Sequence, residues 1–425
     1  MVYSGWRVGC DTPFLFPKSI NCAKFLNKMI TKEEAIDELL TRGVEEVYPS
    51  RDYLRSRLLD GKQITVFLGV DPTGPSLHIG HMIPLLKLRE FQDLGHRIIF
   101  LIGDFTATIG DPTDKTATRV ALTREQVLEN ARLYKEQASH FINFGGENPA
   151  SIKYNSDWLA KMSFADVLNL ASKMTYAQTI KRDMFQKRIK EDKDLYLHEF
   201  LYPLMQGYDS VVMDVDGEIG GNDQTFNMLA GRDLMKKMKS KEKFVLTMKL
   251  LADAIGKKMG KTEGNMVTLS DSSVEMYGKV MSWTDNMIIS GLELCTKLSL
   301  ADIEGVRDRL NAGGNPKEEK MKLGREVVKA YYGPEEAEEA EREFIKIFSE
   351  GGVPDNIPDI RIENGTGLKN LLLNEGFVKS AGDFRRLVEE GAMSLDGEKI
   401  IDPNFSLTTG GILRIGKKRF LKVTI

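Results

Sequence analysis

Cysteine is scarce in this chain. The three cysteines, Cys10, Cys22 and Cys295, have spacings that suit neither a metal site nor a disulfide framework. That fits a reducing, cytoplasmic setting and gives no reason to nominate metal-binding residues. Long apolar runs are missing too. None approaches the roughly 18 residues of a membrane span, so no membrane partner is expected. Nor does charge of one sign dominate: a net charge of -3 excludes a uniformly basic nucleic-acid binder and leaves only a local basic patch open. Residues 1–28 carry four basic residues and one acidic one but no signal-peptide core. The expectation there is a structureless extension, with a weak organellar targeting segment or an early start codon as the alternatives. Met29 precedes Thr31-Lys32-Glu33-Glu34, which reads as a helix capping box. What remains is an ordinary enzyme composition, 28% charged and 41% hydrophobic over 425 residues, enough for two or three domains.

Histidine is the other rarity, with five in the chain, and two of the five sit in His78-Ile79-Gly80-His81. Upstream, residues 64–70 (ITVFLGV) read as a strand, and Asp71-Pro72-Thr73-Gly74-Pro75 as a loop. From Ile79 to Leu94 the apolar residues Ile83, Leu86, Phe91 and Leu94 recur at helical spacing, with Gly95 as the stop. Residues 97–102 (RIIFLI) form a second strand, completing a βαβ unit. Its helix begins at the histidines, where exposed N–H groups and the positive dipole end favour phosphate. Gly80 between them would let a ligand approach the backbone. The bland alternative is a pair of surface histidines.

Other segments carry the same kind of chemistry. Gly103 to Asp111 (GDFTATIGD) follows the second strand where open parallel sheets place ligands, which makes Asp104 and Asp111 crevice carboxylates or turn and cap residues. Lys115 and Arg119 lie in a polar stretch that reads as two cations for a polyphosphate or as a solvated face. In residues 201–213 (LYPLMQGYDSVVM) a helix would align Tyr202, Gln206 and Asp209 on one face for a small polar ligand. Pro203 fits only the first helical turn, so Tyr202 is expected at the helix boundary. Residues 218–224 (EIGGNDQ) read as a glycine turn before a helix over 225–236. Residues 256–262 (GKKMGKT) are not a P-loop, because only three residues separate the glycines; they read instead as a cationic loop able to fold over phosphates.

Taken in order, His78-Ile79-Gly80-His81 and Lys258-Met259-Gly260-Lys261-Thr262 resemble the signature pair of class I aminoacyl-tRNA synthetases. The second departs from Lys-Met-Ser-Lys-Ser at Gly260 and Thr262. The segments DPTGPSLHIGH (71–81), IGDPT (109–113), YPLMQGYD (202–209) and GGNDQ (220–224) narrow the resemblance to bacterial-type tyrosyl-tRNA synthetase, over about residues 30–425. That resemblance implies that Asp111, Tyr202, Gln206 and Gln224 hold the ammonium and carboxylate end of tyrosine, and that Asp209 accepts its phenol hydroxyl. It implies Thr73, His78 and His81 on ATP phosphates, with Gly80 and Asp71 also in the ATP site, Asp223 on ribose, and Lys115, Arg119, Lys258 and Lys261 on the departing pyrophosphate. One departure stands out. Some relatives place a second phenol where this chain has Phe67, which cannot bond the substrate hydroxyl.

The expected fold class is α/β. Residues 1–30 form an extension, 31–255 a Rossmann-like parallel-sheet catalytic domain, 256–350 the cationic loop and a helical domain, 351–365 a linker, and 366–425 a small α+β unit resembling the S4-type RNA-binding module. This tail has ten Lys/Arg against seven Asp/Glu. The expected activity is ATP-dependent formation of tyrosyl-adenylate and transfer of tyrosine to tRNA(Tyr), with Mg²⁺ accompanying the ATP and, by resemblance, a homodimer. The rivals are a tryptophan-specific class I relative and an RNA-binding paralogue with a silent active site.

Overall fold

The computed structural model describes residues 29–111, 122–252, 266–348, 357–416 and 419–425. The extension, the polar stretch holding Lys115 and Arg119, and the cationic loop holding Lys258 and Lys261 lie outside the described residues.

Six strands form the main sheet: β1 (Val44–Tyr48), β2 (Thr65–Val70), β3 (Arg97–Ile102), β4 (Ser151–Tyr154), β5 (Gly217–Gly221) and β6 (Phe244–Met248), in the order β1-β6-β5-β2-β3-β4. All neighbours but one are parallel, as expected of a Rossmann-like sheet, with β1 added antiparallel to β6 at the edge. β2 and β3 are apolar along nearly their whole length because both faces are covered. Val66, Leu68, Val70, Ile98, Phe100 and Ile102 join the main core, while Phe67, Ile99 and Leu101 point the other way and pack with Val215, Trp158 and Met213. From β2 the chain lays down β3 and β4 on one side, then returns to lay β5 and β6 on the other. The order therefore reverses between β2 and β5, the position where open α/β sheets bind ligands.

The helix Ile79–Asp93 covers the main-core face with Ile79, Met82, Ile83, Leu85, Leu88 and Phe91, and Gly95 beyond it has φ +96°, the left-handed stop. Pro84 lies in the second turn of this helix. Its missing N–H leaves the Gly80 carbonyl without the usual partner, tolerable because Gly80 is exposed to water. Helices Leu197–Met213 and Thr225–Lys239 pack so closely that a Cβ on Gly207 would lie 3.0 Å from the Gly231 Cα. Helix Leu197–Met213 corrects the expectation for Pro203, which stands in the seventh position with Tyr202 well inside. The extra N-terminal turns are held by Glu199, which accepts from the Tyr196 N–H and pairs with Arg188 at 2.6 Å, offsetting the proline's cost. Residues 217–221 are strand, not a glycine turn, and the turn is confined to Asn222–Gln224. The capping box expected at Thr31 is absent: helix Glu33–Thr41 is capped at Lys32 without a side-chain bond.

The helices from Ser273 to Phe348 do not form a separate core. Met276, Tyr277, Leu292, Leu323 and Ala340 belong to the same cluster as Leu68 and Phe91. The C-terminal unit does have its own core, around Leu372, Phe384, Leu413 and Leu421. Its strands are β7 (Asp359–Arg361), β8 (Thr366–Gly367), β9 (Met393–Leu395), β10 (Glu398–Lys399), β11 (Ser406–Leu407), β12 (Gly411–Ile415) and β13 (Arg419–Thr424); the five-stranded sheet has the order β10-β9-β12-β13-β7. β7 comes from the expected linker. Ile360 packs on the C-terminal core and β7 pairs in parallel with β13, so that unit begins at Asp359.

Candidate active site

At the reversal between β2 and β5 the structure opens a cavity of about 440 Å³. It is lined by the ends of β2 and β5, the start of helix Ile79–Asp93 and one face of helix Leu197–Met213. Asp71, Thr73, His78, Gly80, His81, Asp111, Tyr202, Gln206, Asp209, Asp223 and Gln224 all line it. Leu251 and Met266, which flank the undescribed residues 253–265, also line it.

The histidines cap their own helix. His78 Nδ1 accepts from the Gly80 N–H and His81 Nδ1 from the His78 N–H, each at 3.1 Å, and the rings lie 3.9 Å apart. A ring nitrogen that accepts an N–H carries no proton, so in each ring the hydrogen sits on Nε2, a donor. The structure adds a second reason for Gly80: a Cβ there would lie 2.9 Å from His78 Cε1, so glycine makes room for the capping ring. The segment after the cationic loop is tied to this helix start. The Ile79 N–H donates to the Val267 carbonyl at 2.9 Å and the Leu269 N–H to the Leu77 carbonyl at 2.8 Å.

Along helix Leu197–Met213, Tyr202, Gln206 and Asp209 do share the cavity face. The Tyr202 hydroxyl donates to Asp71 Oδ2 at 2.8 Å, while Asp71 Oδ1 accepts from Thr106 Oγ1 at 2.7 Å. Burial, reinforced by the charges of Asp71 and Asp111, holds the Tyr202 phenol well above its ordinary range. Asp209, 2% exposed, is pushed well above the usual carboxylate range by burial, against two donors that lower it: Trp158 Nε1 at 2.8 Å and Asn155 Nδ2 at 3.3 Å. Asp111 accepts from Gln224 Nε2 at 2.7 Å and lies 3.7 Å from Arg182, while Gln224 Oε1 accepts from buried Asn227 at 3.1 Å.

Asp104 does not reach the cavity. Its carboxylate accepts from the Ser156 N–H at 2.9 Å and from Ser156 Oγ at 2.6 Å, serving the turn after β4. Around the site stand residues the sequence did not reveal, Asn155 and Trp158 just after β4, Arg182 and Lys243, while Glu218 belongs to the segment 218–224 but was given no role there. Asn155 and Lys243 carry only the signal of a polar residue beside a strand end, which many surface residues share, and Arg182, between two helices, carries none.

A family profile for class I tRNA synthetases (W and Y) matches residues 59–349. The chain is 43% identical over 402 residues to a "Tyrosine--tRNA ligase" of Carboxydothermus hydrogenoformans, covering 91% of this chain and 97% of that one. A "Tyrosine--tRNA ligase 2" of Vibrio cholerae is 41% identical, over 93% of this chain and 100% of that one. Among solved structures, a C-terminally truncated mitochondrial tyrosyl-tRNA synthetase of Coccidioides posadasii has a TM-score of 0.60 at 26% identity, over 72% of this chain and 91% of that one. That of Archaeoglobus fulgidus, complexed with L-tyrosine, has a TM-score of 0.57 at 21% identity, over 73% of this chain and 100% of that one, a likeness of fold.

Proposed function

The chain belongs to the class I tyrosyl-tRNA synthetases, and from that premise we propose how its cavity divides the work of activation. The reaction is that of a tyrosine–tRNA ligase. The tyrosine carboxylate attacks the α-phosphorus of ATP, diphosphate leaves, and the tyrosyl group then passes from AMP to the terminal ribose of tRNA(Tyr). Such a displacement needs alignment and charge neutralisation rather than a protein nucleophile.

The observation that carries the assignment of the amino-acid side is the setting of Asp209. A buried carboxylate held from behind by Asn155 and Trp158 faces the cavity as an acceptor, and a phenol hydroxyl is the donor that matches it. This reading accounts for Phe67: the two donors fix the carboxylate without a second phenol. At the other end Asp111, Tyr202, Gln206 and Gln224 receive the ammonium and carboxylate group. Asp71 departs from the ATP role that resemblance gives it, since its bonds to Tyr202 and Thr106 favour support of the amino-acid side.

On the phosphate side, Thr73 and the Nε2 donors of His78 and His81 stand at a helix N-terminus beside Gly80, with Asp223 toward the ribose. Lys115, Arg119, Lys258 and Lys261 suit the departing diphosphate by residue type, and the cavity-lining flanks Leu251 and Met266 support that reading for the last two. Mg²⁺ arrives with the nucleotide; phosphates and water suffice to hold it.

The C-terminal unit is read as the RNA-binding module, with Lys379 and Arg385 exposed; Arg386 is already engaged by Asp383 at 2.8 Å. A homodimer is supported by exposed apolar side chains between residues 164 and 197: Phe164, Leu168, Tyr176 and Leu197. A cytoplasmic setting is supported by buried, unpaired Cys295, and no helix among the described residues is long and apolar enough to cross a membrane.

Pyrophosphate exchange with each standard amino acid tests the activity. Tyrosine alone should support exchange; exchange with tryptophan alone, or with none, overturns the reading.

A further inference from the structure

Behind the amino-acid side of the cavity lies an ion pair that the chemistry above leaves unused. Lys243, immediately before β6, is 0% exposed, and Glu218 in β5 is 2% exposed. The Lys243 Nζ donates to Glu218 Oε2 and, at 2.9 Å, to Ser210 Oγ, and it lies 5.7 Å from the centroid of the Phe67 ring. The other carboxylate oxygen, Glu218 Oε1, accepts from Gln206 Nε2 at 3.0 Å. Glu218 and Gln206 line the cavity; Lys243 stands behind them.

Two buried charges are costly to desolvate and often contribute no more than apolar packing, so stability alone gives weak reason for this arrangement. Its geometry supplies a better one. The side-chain amide of glutamine is two-ended, donor at one end and acceptor at the other, and an ionised carboxylate can only accept. Glu218 therefore selects the NH₂ end of Gln206 and turns the carbonyl oxygen away from itself. Burial lowers the Lys243 pKa from its ordinary range and the Glu218 carboxylate opposes that; the Lys243 ammonium donates to the opposite carboxylate oxygen, which leaves Glu218 an acceptor at both ends. The other charged groups acting on this cluster are Asp209, on the same helix as Gln206, and Arg232 on helix Thr225–Lys239; Asp71 acts on Asp209.

We infer that Lys243 and Glu218 are positioning residues for the amino-acid substrate: together they lock the Gln206 amide with its carbonyl oxygen presented to the substrate ammonium. The inference rests on the assignment of Gln206 to that ammonium. Removing Lys243 takes away the donor that keeps the second Glu218 oxygen free of a proton; a Glu218 carboxyl that takes up a proton there can donate to Gln206 and turn the amide round. The NH₂ end would then face the ammonium, donor against donor.

The test is the tyrosine KM in pyrophosphate exchange, measured from pH 6 to 9 for Gln206→Ala, Lys243→Met, Glu218→Gln and the Lys243→Met/Glu218→Gln double variant. Gln206→Ala should raise the tyrosine KM by roughly ten- to a hundredfold, the range for one hydrogen bond to a charged group, with the ATP KM little changed. Lys243→Met should raise it similarly at low pH and recover toward the parent value as the pH rises. A loss that is only structural would lack that pH dependence. Glu218→Gln should raise the KM without a new pH dependence, and the double variant should be less impaired than Lys243→Met at low pH. If Gln206→Ala leaves the tyrosine KM unchanged, the ammonium assignment falls. If Gln206→Ala raises it while folded Lys243→Met keeps the parent KM and pH profile, the positioning role falls and the assignment stands. Should Lys243→Met not fold, an unchanged KM in Glu218→Gln overturns the inference by itself.

Discussion

The indole Nε1 of Trp158 donates to Asp209 Oδ1 across 2.8 Å, joining the turn after β4 to the middle of helix Leu197–Met213. Asn155 Nδ2 approaches the other oxygen at 3.3 Å and also donates to Thr106 Oγ1 at 3.0 Å, which in turn reaches Asp71. One short segment thus braces both ends of the amino-acid side, the hydroxyl acceptor Asp209 and the Asp71 that holds Tyr202. On the proposed assignment of Asp209, selectivity then depends on residues that need not touch the substrate.

With Asp209 proposed as the acceptor of the phenol hydroxyl, phenylalanine would leave it buried and unanswered. In Asp209→Asn the preference for tyrosine over phenylalanine, as a ratio of kcat/KM, should fall by at least roughly tenfold. The pH dependence has a definite sign. Burial raises the Asp209 carboxyl, so it keeps its proton to higher pH than an ordinary carboxylate, and the accepting form is gained as pH rises. The kcat/KM for tyrosine should climb with pH through that range, and Asp209→Asn should flatten the climb. An unaltered selectivity ratio would show that the hydroxyl pocket lies elsewhere.

His78 has two tasks that can be separated. Its Nδ1 caps the helix, whereas its Nε2 is the candidate phosphate donor. Asparagine is a good cap with a shorter reach. His78→Asn should keep thermal stability near that of the parent yet slow tyrosyl-adenylate formation on the order of a hundredfold, with tyrosine affinity little changed. Single-turnover rates alongside equilibrium binding decide the matter; equal losses in rate and affinity would count against a transition-state role.

Buried His96 makes the fold acid-sensitive at a known place. It is 0% exposed, and burial holds its pKa down to about 4 from an ordinary 6.5. Above pH 6.5 the ring is neutral folded or unfolded and has no effect. As pH falls from 6.5 toward 4 the unfolded chain takes up a proton that the folded one refuses, so stability is lost across that window, by at most about 3 kcal/mol. Denaturant unfolding of the parent and of His96→Leu at several pH values should show the parent losing stability relative to the variant as pH falls below 6.5. A difference constant with pH would mean His96 protonates in the folded state as readily as in the unfolded one.

Much of this was legible in the residues, for identifiable reasons. The unit of β2, helix Ile79–Asp93 and β3 is local, and apolar period and turn residues dictate it. The shared face of Tyr202, Gln206 and Asp209 follows from helical spacing alone. Pro203 misled because the rule about proline weighs one turn of helix, while Glu199 and Arg188 supply tertiary support that outweighs it. Asn155, Trp158 and the Glu218–Lys243 pair could not be read, because each meets its partner through sheet order and register, and neither leaves a periodic trace. β7 was missed for the same reason, since three residues near Pro358 become a strand only because β13 offers them an edge.

The core around Leu372 and Phe384 is separate from the one that contains Ala340, so cutting after Gly352 removes a self-contained unit and no residue of the cavity. The truncated protein should exchange pyrophosphate with tyrosine at near the intact rate, because everything proposed for adenylate formation remains. Transfer to tRNA should fall sharply, because exposed Lys379 and Arg385 and their neighbours would no longer meet the RNA backbone. The intact protein's tRNA affinity should also weaken more steeply with salt than that of the truncated form, since each Lys or Arg that neutralises a phosphate releases condensed counterions from the RNA and the truncated form has fewer such pairs. If the truncated protein charges tRNA as well as the intact chain does, the RNA-binding reading of the unit from Asp359 to Ile425 is wrong and that unit is a structural cap.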